Sequence, residues 1–541
     1  AVFFMAIVYY YTWQWARWEF IVFPLLPIAN PQVLDLGFML LYSFLFLLGF
    51  RVFLRPFFNL PVKAFYLIGT ISVVLLLIAG GVYYLMPGKT AQAVIDSDIN
   101  IERRPVDEKL LLIGVDGFWW EIIDPLMAEG KMPHVQALVD SGSSGPLETL
   151  LPTFSAMIWT SITTGKSEAK HGVTSFLVWK FPITNFSVPC HLTPKSTPEI
   201  AWMKANWIVE APITNQFLDA EPVWTILSDH GASVGMVNWW VSWPANKVNG
   251  FIVTDHCLYN KSNVMQNYKS KEGMTPNDIY PVELLPELAG FSHGPDDITE
   301  AEIRRFINVQ EDSFIDEFYA IDSYEIIDIA YEASMFKYSY PEDVTYVAAS
   351  EYLLQTQQPD FMGVYLKGMD SMEHQYLKYY FADEHPDRLL DQNLQRYSDL
   401  IENYYIYMDE TIGRLIAAAD SNTTVMIVSD HGFDKIILPT GHYNHMEKPA
   451  GVFICKGSGI KQGHKVTGAH VYDVTPTVLH LLGFPMAEDF DGKALTDICT
   501  EQHEMVTITT YETGRRATRR LMESDIDADY KERLRALGYT Q

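Results

Sequence analysis

Residues 109–118 read KLLLIGVDGF, an uninterrupted apolar run that ends at Asp116 and Gly117. A run of this length without polar alternation is typical of a strand that is buried on both faces of a parallel sheet. The Asp-Gly pair stands at the carboxyl end of the strand, where open α/β sheets bind their ligands. This stretch therefore predicts an α/β domain with its chemistry at one edge of the sheet.

Further strand candidates follow along the chain, with helical patterns between them. The pattern IIDPLMAEGKMPHVQALVDSG after the first strand is helical, and later apolar runs are ASVGMVNW, NGFIVTD, FMGVYLKGMD, TTVMIVSDHG and GVFICKG. Strands that alternate with helices indicate a doubly wound, mainly parallel sheet between helices. Residues 258–340 interrupt this alternation and predict a mostly helical inserted cap, which either selects the substrate or is a passive insertion.

The first 86 residues have a different character from the rest. Residues 36–50 and 65–86 are nearly free of charge and predict at least two transmembrane helices, the first if it runs on past Arg51. Arg51, Arg55 and Lys63 lie between these runs, and the positive-inside rule places their loop in the cytoplasm. We therefore expect an integral membrane protein whose following domain is extracytoplasmic, either periplasmic or extracellular. The alternative is a buried hairpin in a soluble protein.

The remaining chain divides into a polar linker at 87–108 and a catalytic domain at 109–541 that contains the cap. The formal net charge of the chain is −28, and the acidic excess lies after residue 90, because five basic residues outnumber two acidic ones before it. So acidic a domain is not attracted to nucleic acid, and we expect no nucleic-acid partner. The four cysteines form no zinc-ribbon pattern, and Cys190 and Cys257 are either bridged or buried thiols.

Aspartate and histidine residues follow several of the predicted strands. These candidates are Asp116, Asp370 and His374 in KGMDSMEH, Asp430 and His431 in MIVSDHG, and His442 or His445 in GHYNHMEK. A single one of them is more often a hydrogen-bonded structural residue, but their recurrence at one sheet edge indicates a metal centre. Oxygen and imidazole ligands without thiolates suit catalytic zinc, manganese or iron.

A hydroxyl residue near this edge is the candidate nucleophile. In TLLPTFSAMIWTSITTGKSEAKHG, a loop with a proline presents Thr153 and Ser155 before a helical pattern begins. A hydroxyl at a helix start is ordinarily an N-cap, whereas a hydroxyl beside a metal ion can ionise and attack. Together with Ser155, the Asp and His residues make seven candidate ligands, which is about the number that two ions with open positions need.

The motifs resemble the alkaline-phosphatase superfamily, most closely its type I phosphodiesterase/nucleotide pyrophosphatase branch. The matching stretches are LIGVDG, PTFSAMIWTSITTGKSEAKHG, VSWPANKVNGFIVTD, KGMDSMEH, SDHGF and GVFICKGSGIKQG followed by YDVTPTVLHLLGFP. The resemblance implies an alkaline-phosphatase-like fold, with Ser155 rather than Thr153 as the nucleophile.

The resemblance also implies two divalent ions, with zinc expected and manganese as the alternative. One ion would be held by Asp116, Asp430, His431 and Ser155. The other would be held by Asp370, His374 and a later histidine, with His445 preferred to His442. The expected activity is that of a phosphodiesterase or phosphatase, a metal-dependent phosphoric-ester hydrolase that forms a phosphoseryl intermediate. Its substrate is a phosphate ester, with lipid-linked and glycan-linked esters among the candidates.

One departure from the family concerns the substrate. Nucleotide pyrophosphatases carry an asparagine three residues after the nucleophile, and this chain has Ile158 there, which argues against nucleotide substrates. Lys367 either supplies charge to an anionic substrate or is a solvated surface residue. Two alternatives stay open, an envelope phosphoglycerol or phosphoethanolamine transferase and a catalytically silent metal-binding protein. A sulfatase is disfavoured, because SAMIW lacks the Pro and Arg of the C/S-x-P-x-R motif.

Overall fold

The computed structural model describes residues 101, 103–180, 187–189, 208–257, 276–321, 332–384, 391–437, 443–445, 447, 449–501 and 503–512. The predicted transmembrane runs and most of the linker lie outside these residues. Among the residues that are described, no helix is both long and apolar enough to span a bilayer. Up to Tyr511, the described residues belong to one compact unit.

A ten-stranded mixed sheet forms the centre of this unit. Its strands are β1 Lys109–Val115, β2 Ser143–Glu148, β3 Val234–Val237, β4 Gly250–Val253, β5 Ile279–Tyr280, β6 Phe361–Leu366, β7 Thr423–Val428, β8 Gly451–Lys456, β9 His464–Lys465 and β10 Ala469–His470. Their order is β9-β2-β8-β7-β1-β6-β3-β4-β5, and β10 also pairs with β2. The five strands from β7 to β4 are parallel, whereas β8 and β5 run antiparallel to their neighbours. The predicted α/β sheet, mainly parallel, is thus confirmed at its centre.

Helices connect the strands. The α-helices are α1 Trp120–Ala128, α2 Pro133–Ser141, α3 Ser155–Thr164, α4 Glu168–His171, α5 Val223–Asp229, α6 Leu285–Leu288, α7 Glu300–Phe306, α8 Ser313–Ala320, α9 Ala333–Gln357, α10 Gly368–Tyr380, α11 Asp391–Tyr397, α12 Leu400–Ala418 and α13 Val474–Leu481. Short 3-10 turns cover Asn215–Phe217, Val282–Leu284, Ala289–Phe291, Ala382–Glu384, Val471–Asp473 and Thr496–Ile498. Small additional sheets pair Leu177–Lys180 with Ser187–Pro189 and Val209–Pro212, Asp434–Ile437 with Tyr443–Asn444, and Met486–Ala487 with Thr507–Ile508.

Both faces of the sheet are covered by apolar helix surfaces. Along β1, Leu111 and Ile113 pack on the face covered by α1, α2, α9, α10 and α12. Leu110 and Leu112 pack on the opposite face, which α3, α5 and α13 cover. Each such buried side chain contributes roughly 1.5–3 kcal/mol of transfer free energy. Burial on both faces explains why the strand reads as a continuous apolar run.

The described parts of the predicted cap, residues 276–321 and 332–340, are mostly helical and contain α6 to α8 and the start of α9. Its β5 strand joins the main sheet beside β4. Phe306 of α7 packs against Phe336 of α9 with ring centroids 5.1 Å apart. The helix α9 continues through residue 340 to Gln357, so no break in structure marks the predicted end of the cap. The boundaries of the cap stay a prediction.

A buried histidine ties α3 to α4. The Nδ1 atom of His171 accepts a hydrogen bond from the backbone N–H of Val173 at 3.1 Å, and its Nε2 lies 2.9 Å from Ser161 Oγ. Because Nδ1 is an acceptor, the ring is the neutral tautomer that donates from Nε2 to Ser161. Burial lowers the pKa of His171 to about 3, against a smaller opposing effect of the Asp491 carboxylate.

We predict that His171 makes stability depend on pH. In the unfolded chain the pKa of a histidine is about 6.5. Because the pKa of His171 in the folded protein is about 3, the chain takes up a proton when it unfolds at a pH between these two values. The stabilising effect is complete above pH ~6.5 and is lost as the pH falls, by about 1.4 kcal/mol per unit. Urea unfolding from pH 7 to 5 should show a shallower decline for His171→Gln than for the wild type.

The matched control is His134→Gln, since His134 is exposed. This variant should keep the slope of the wild type. Parallel pH dependences for His171→Gln and the wild type would contradict the assignment.

Candidate metal centre and nucleophile

Three adjacent parallel strands bring the candidate ligands to one edge. Gly114 of β1 lies opposite Val428 of β7 and Tyr365 of β6, so the three strands end at the same level. Asp116 follows β1, the pair Asp430 and His431 follows β7, and Asp370 lies in the first turn of α10 after β6. The strand ends therefore meet as the sequence argument expects.

The first group of ligand candidates consists of Asp116, Asp430 and His431, each at most 1% exposed. The Nε2 atom of His431 lies 3.5 Å from Asp116 Oδ1 and 3.3 Å from Asp430 Oδ2. Ligand atoms at zinc-bonding distance in a tetrahedron lie about 3.3–3.6 Å apart. The spacing of this group therefore fits one ion.

The second group consists of Asp370, His374 and His445. Asp370 Oδ1 lies 3.4 Å from His374 Nε2 and 3.9 Å from His445 Nε2, and the two Nε2 atoms are 3.2 Å apart. These distances fit a second ion. The two groups are neighbours, because the rings of His431 and His445 stack with centroids 3.8 Å apart. His442, the other histidine considered, lies outside the described residues.

Four atoms facing these positions lack a hydrogen-bond partner within the described part of the chain: Asp116 Oδ1, Asp370 Oδ1, Asp430 Oδ2 and His431 Nε2. A buried polar atom without a partner is costly, and native structures rarely leave several together. One cation in each group would satisfy all four, with Asp116, Asp430 and His431 facing the first ion and Asp370 facing the second. The donor set, carboxylate oxygens with imidazole nitrogens, therefore fits divalent ions such as zinc.

The electrostatics of the site point in the same direction. Burial and the Asp116 charge raise the pKa of Asp370 to about 7, while His431 and Lys367 lower it. Burial, Asp116 and Asp370 raise the pKa of Asp430 well above its usual value. Carboxylates crowded in a buried site repel each other and disfavour their charged forms, and a cation removes that penalty.

Hydrogen bonds at the Nδ1 atoms of His374 and His431 fix the tautomer of each ring. The Nδ1 atoms of His374 and His431 lie 2.9 Å and 3.1 Å from the carbonyl oxygens of Tyr443 and Gly432. Because a carbonyl only accepts, each Nδ1 carries the proton and each Nε2 presents a lone pair. Burial is the main cause that lowers the pKa of both rings, which keeps them neutral.

Thr153 orients His445 in a similar way, by a hydrogen bond at Nδ1 that leaves the lone pair on Nε2. Its hydroxyl donates to the His445 carbonyl at 2.6 Å, and its oxygen lies 2.7 Å from His445 Nδ1. Since its hydrogen is committed to the carbonyl, Thr153 accepts from Nδ1, and Nε2 of His445 again offers a lone pair. Burial, with the neighbouring His431 and His374, lowers the pKa of His445 well below its usual value.

Ser155 is the first residue of α3 and is 7% exposed. The N-cap of this helix is Phe154, so Ser155 does not have the ordinary capping role. Its neighbours contact both ligand groups, since Thr153 binds His445 and Trp159 Nε1 donates to Asp116 Oδ2 at 3.1 Å. The candidate nucleophile is thus the first residue of α3, and the residues that contact the two groups lie two positions before it and four positions after it in the chain.

Two other predicted positions have distinct surroundings. Lys367 is half-buried and directly precedes α10, near enough for its charge to act on Asp370. Ile158 is fully buried in the apolar layer on the α3 face of the sheet. It therefore presents no polar group to a ligand.

Sequence reasoning missed a fourth carboxylate, Glu373. It is fully buried on α10, its Oε1 accepts from the Tyr405 hydroxyl at 2.6 Å, and its Oε2 has no partner among described residues. Burial, together with the charges of Asp370 and Asp116, raises its pKa well above the usual value. The available signal was its helical spacing of three from Asp370, which places both on one face.

Comparisons of the sequence with known proteins give a family match and one curated relative. Residues 110–481 match the model of the family described as type I phosphodiesterase / nucleotide pyrophosphatase. A curated relative, sulfatase ppz1 of Metarhizium majus (strain ARSEF 297), is 29% identical over 136 residues. That alignment covers 24% of this chain and spans only 30% of the relative's length.

Solved structures with a related chain course include human ectonucleotide pyrophosphatase / phosphodiesterase 5, at 13% identity and a TM-score of 0.40. Another is wild-type alkaline phosphatase PafA, at 12% identity and a TM-score of 0.44. In both comparisons the match covers 73% of this chain and 100% of the other. Because the family match extends from β1 to the end of α13, the chain belongs to the type I phosphodiesterase / nucleotide pyrophosphatase family.

Proposed function

We propose that this protein is a metal-dependent phosphoric-ester hydrolase that acts through a phosphoseryl intermediate on Ser155. The observation that carries the proposal is the convergence of two groups of Asp and His side chains with unpaired buried atoms within the described residues, one of which is hydrogen-bonded to Thr153 just before α3. Family membership supports the same class of reaction.

Each of the two groups would hold one divalent ion. The first ion would be bound by Asp116, Asp430 and His431. The second would be bound by Asp370, His374 and His445. Zinc suits this mixture of carboxylate and imidazole donors, and manganese is the second candidate. Bound divalent cations would lower the pKa of a nearby hydroxyl and offset the charge on phosphoryl oxygens.

The residues of the chain then account for the covalent steps. Ser155 Oγ attacks phosphorus, so that an O–P bond to serine forms while the O–P bond to the departing alcohol breaks, and the serine proton passes through solvent to the leaving oxygen. The backbone N–H groups of Ser155 and Ala156, at the start of α3, would stabilise the charge of the phosphoryl oxygens. Water then attacks the phosphoserine, releases the phosphate product and restores the hydroxyl.

Apolar surroundings next to Ser155 favour esters with an apolar or aromatic organic group. The half-buried ring of Phe154 lies 5.8 Å from that of Phe176, which lies 5.4 Å from that of Trp240. This apolar side of the nucleophile therefore suits the second organic group of a phosphodiester better than the additional negative charge of a phosphomonoester. Lys367 is the cation that we propose for the anionic end of the substrate.

We also propose that the domain is anchored in a membrane and lies outside the cytoplasm. The support is the sequence of residues 36–50 and 65–86 with their basic loop. Lipid-linked or glycan-linked phosphate esters are then accessible substrates. Protection of the domain from protease added to spheroplasts, or to cells that have no outer membrane, would contradict this orientation.

We expect Ser155→Ala to abolish turnover while both ions stay bound. Loss of a covalent nucleophile costs on the order of a thousandfold or more in kcat. Hydrolysis of bis(p-nitrophenyl) phosphate and metal analysis of the purified protein measure the two effects. The matched control is Ser161→Ala, a buried serine of the same helix that binds His171, and it should keep most activity. Full activity in Ser155→Ala would disprove the assignment.

Metal binding should release protons. Carboxyl groups with raised pKa values carry protons near neutral pH, and a cation requires their charged forms. Neutral histidines release none, so we expect about one to two protons per chain at pH 7, with zinc affinity increasing as the pH rises. Calorimetric titration of the metal-free protein in buffers of different ionisation enthalpy gives this number.

The matched variant for this titration is Asp430→Asn, which should release fewer protons than the wild type. Zinc uptake without any proton release would show that the carboxyl groups are already charged in the metal-free protein, contrary to the account.

A further inference from the structure

The two oxygens of Asp116 have different surroundings. Oδ2 accepts hydrogen bonds from Trp159 Nε1 at 3.1 Å and from the Tyr365 hydroxyl. Oδ1 has no hydrogen-bond partner in the described ranges and lies 3.5 Å from His431 Nε2. One oxygen is therefore held by the protein, and the other is turned toward the position of the candidate ion.

Tyr365 can act only as a donor to Asp116. Its oxygen receives a hydrogen bond from Trp240 Nε1 at 2.7 Å, and an indole nitrogen is always the donor. The single hydroxyl hydrogen of Tyr365 is thus directed at Asp116.

Trp240 is carried by a backbone turn in an unusual conformation. Asn238 has a φ of 59° and Val241 a φ of 61°, a region that β-branched residues rarely occupy. The Asp255 carboxylate holds the turn, because it accepts from the backbone N–H groups of Val241 and Trp243, both at 3.2 Å. Such strain persists where the surrounding structure enforces it, and it is concentrated at functional sites.

Trp159 brings the nucleophile helix into the same arrangement. Its ring packs so closely on β1 that a Cβ atom at Gly114 would lie 2.6 Å from it. The rings of Trp159 and Tyr365 meet edge to face with centroids 5.0 Å apart. The helix that bears Ser155 and the strand that bears Asp116 are therefore packed directly against each other.

We propose that Tyr365 and Trp240 are positioning residues that hold the Asp116 carboxylate for the ion at Asp116, Asp430 and His431. The inference rests on the proposed function in one respect, that Asp116 is a metal ligand. Without the Tyr365 hydroxyl, the carboxylate keeps one of its two hydrogen bonds on Oδ2 and gains freedom to rotate. Outer partners of this kind typically change metal affinity by about 10–100-fold.

The experiment measures zinc affinity of the full chain, stripped of metal, by competition with a chromophoric chelator. In Tyr365→Phe, one of the two ions should bind about 10–100-fold more weakly, and the other should bind as in the wild type. Trp240→Phe should weaken the same ion by a smaller factor. Phosphodiester hydrolysis by Tyr365→Phe should recover when zinc is added to saturation, which a purely structural defect would not allow.

The weakened ion is identified in an Asp370→Asn background, where the Asp116 group holds the remaining ion. Tyr365→Phe should lower the affinity of that ion too. The matched control is Tyr511→Phe, which removes a buried hydroxyl that donates to the Pro485 carbonyl at 2.7 Å. Its zinc affinities should equal those of the wild type.

Three results would overturn the inference: unchanged zinc affinity in Tyr365→Phe, equal weakening of both ions, or the same loss in Tyr511→Phe. The first of these results counts against the inference even if Tyr365→Phe is less thermally stable than the wild type. A wild type that binds no zinc or manganese would refute the proposed function itself, so the two failures are distinguishable.

Discussion

Three carboxylates, Asp116, Asp370 and Asp430, converge within one region at the carboxyl edge of the sheet. Their mutual repulsion has to be offset, either by the uptake of protons or by a bound cation. In a region of low dielectric constant, such groups either take up protons or share cations. The raised pKa values of Asp370 and Asp430 express this constraint in the absence of metal. Imidazole nitrogens lie 3.4 Å from an Asp370 oxygen and 3.3 Å from an Asp430 oxygen, and they would supply the further donors that a shared cation needs.

The rest of the fold holds these charges together against that repulsion. The strands β7, β1 and β6 are hydrogen-bonded neighbours, and two apolar helix layers fix them from both sides. The helix α3 contributes Ser155 and reaches back to Asp116 through Trp159. Thr153, two residues before Ser155, binds His445 of the other group. The proposed nucleophile is therefore positioned by contacts that also orient two of the candidate ligands, Asp116 and His445.

Much of this arrangement was predictable from local sequence. The central strands read as continuous apolar runs because both their faces are buried, and Asp370 and His374 are four residues apart on a helix. The strand β2, SSGPLE, was missed because its polar residues and proline have low strand propensity, and pairing with β8 on one side and with β9 and β10 on the other stabilises it. The antiparallel direction of β8 was also unpredictable, because the apolar run GVFICKG indicates a buried strand without indicating which way the strand runs in the sheet.

The contacts between distant residues were likewise outside the reach of sequence patterns. Tyr365 binds Asp116 across 249 positions and Thr153 binds His445 across 292, so no spacing rule connects them. The predicted transmembrane helices stay predictions, because residues 1–100 lie outside the described chain.

The most direct test of the central claim is anomalous diffraction at the zinc edge from crystals of the protein grown with zinc. The account predicts two anomalous peaks in each molecule, one bonded to Asp116, Asp430 and His431 and the other to Asp370, His374 and His445. The absence of density between these side chains at saturating zinc, or peaks held only by other residues, would contradict it.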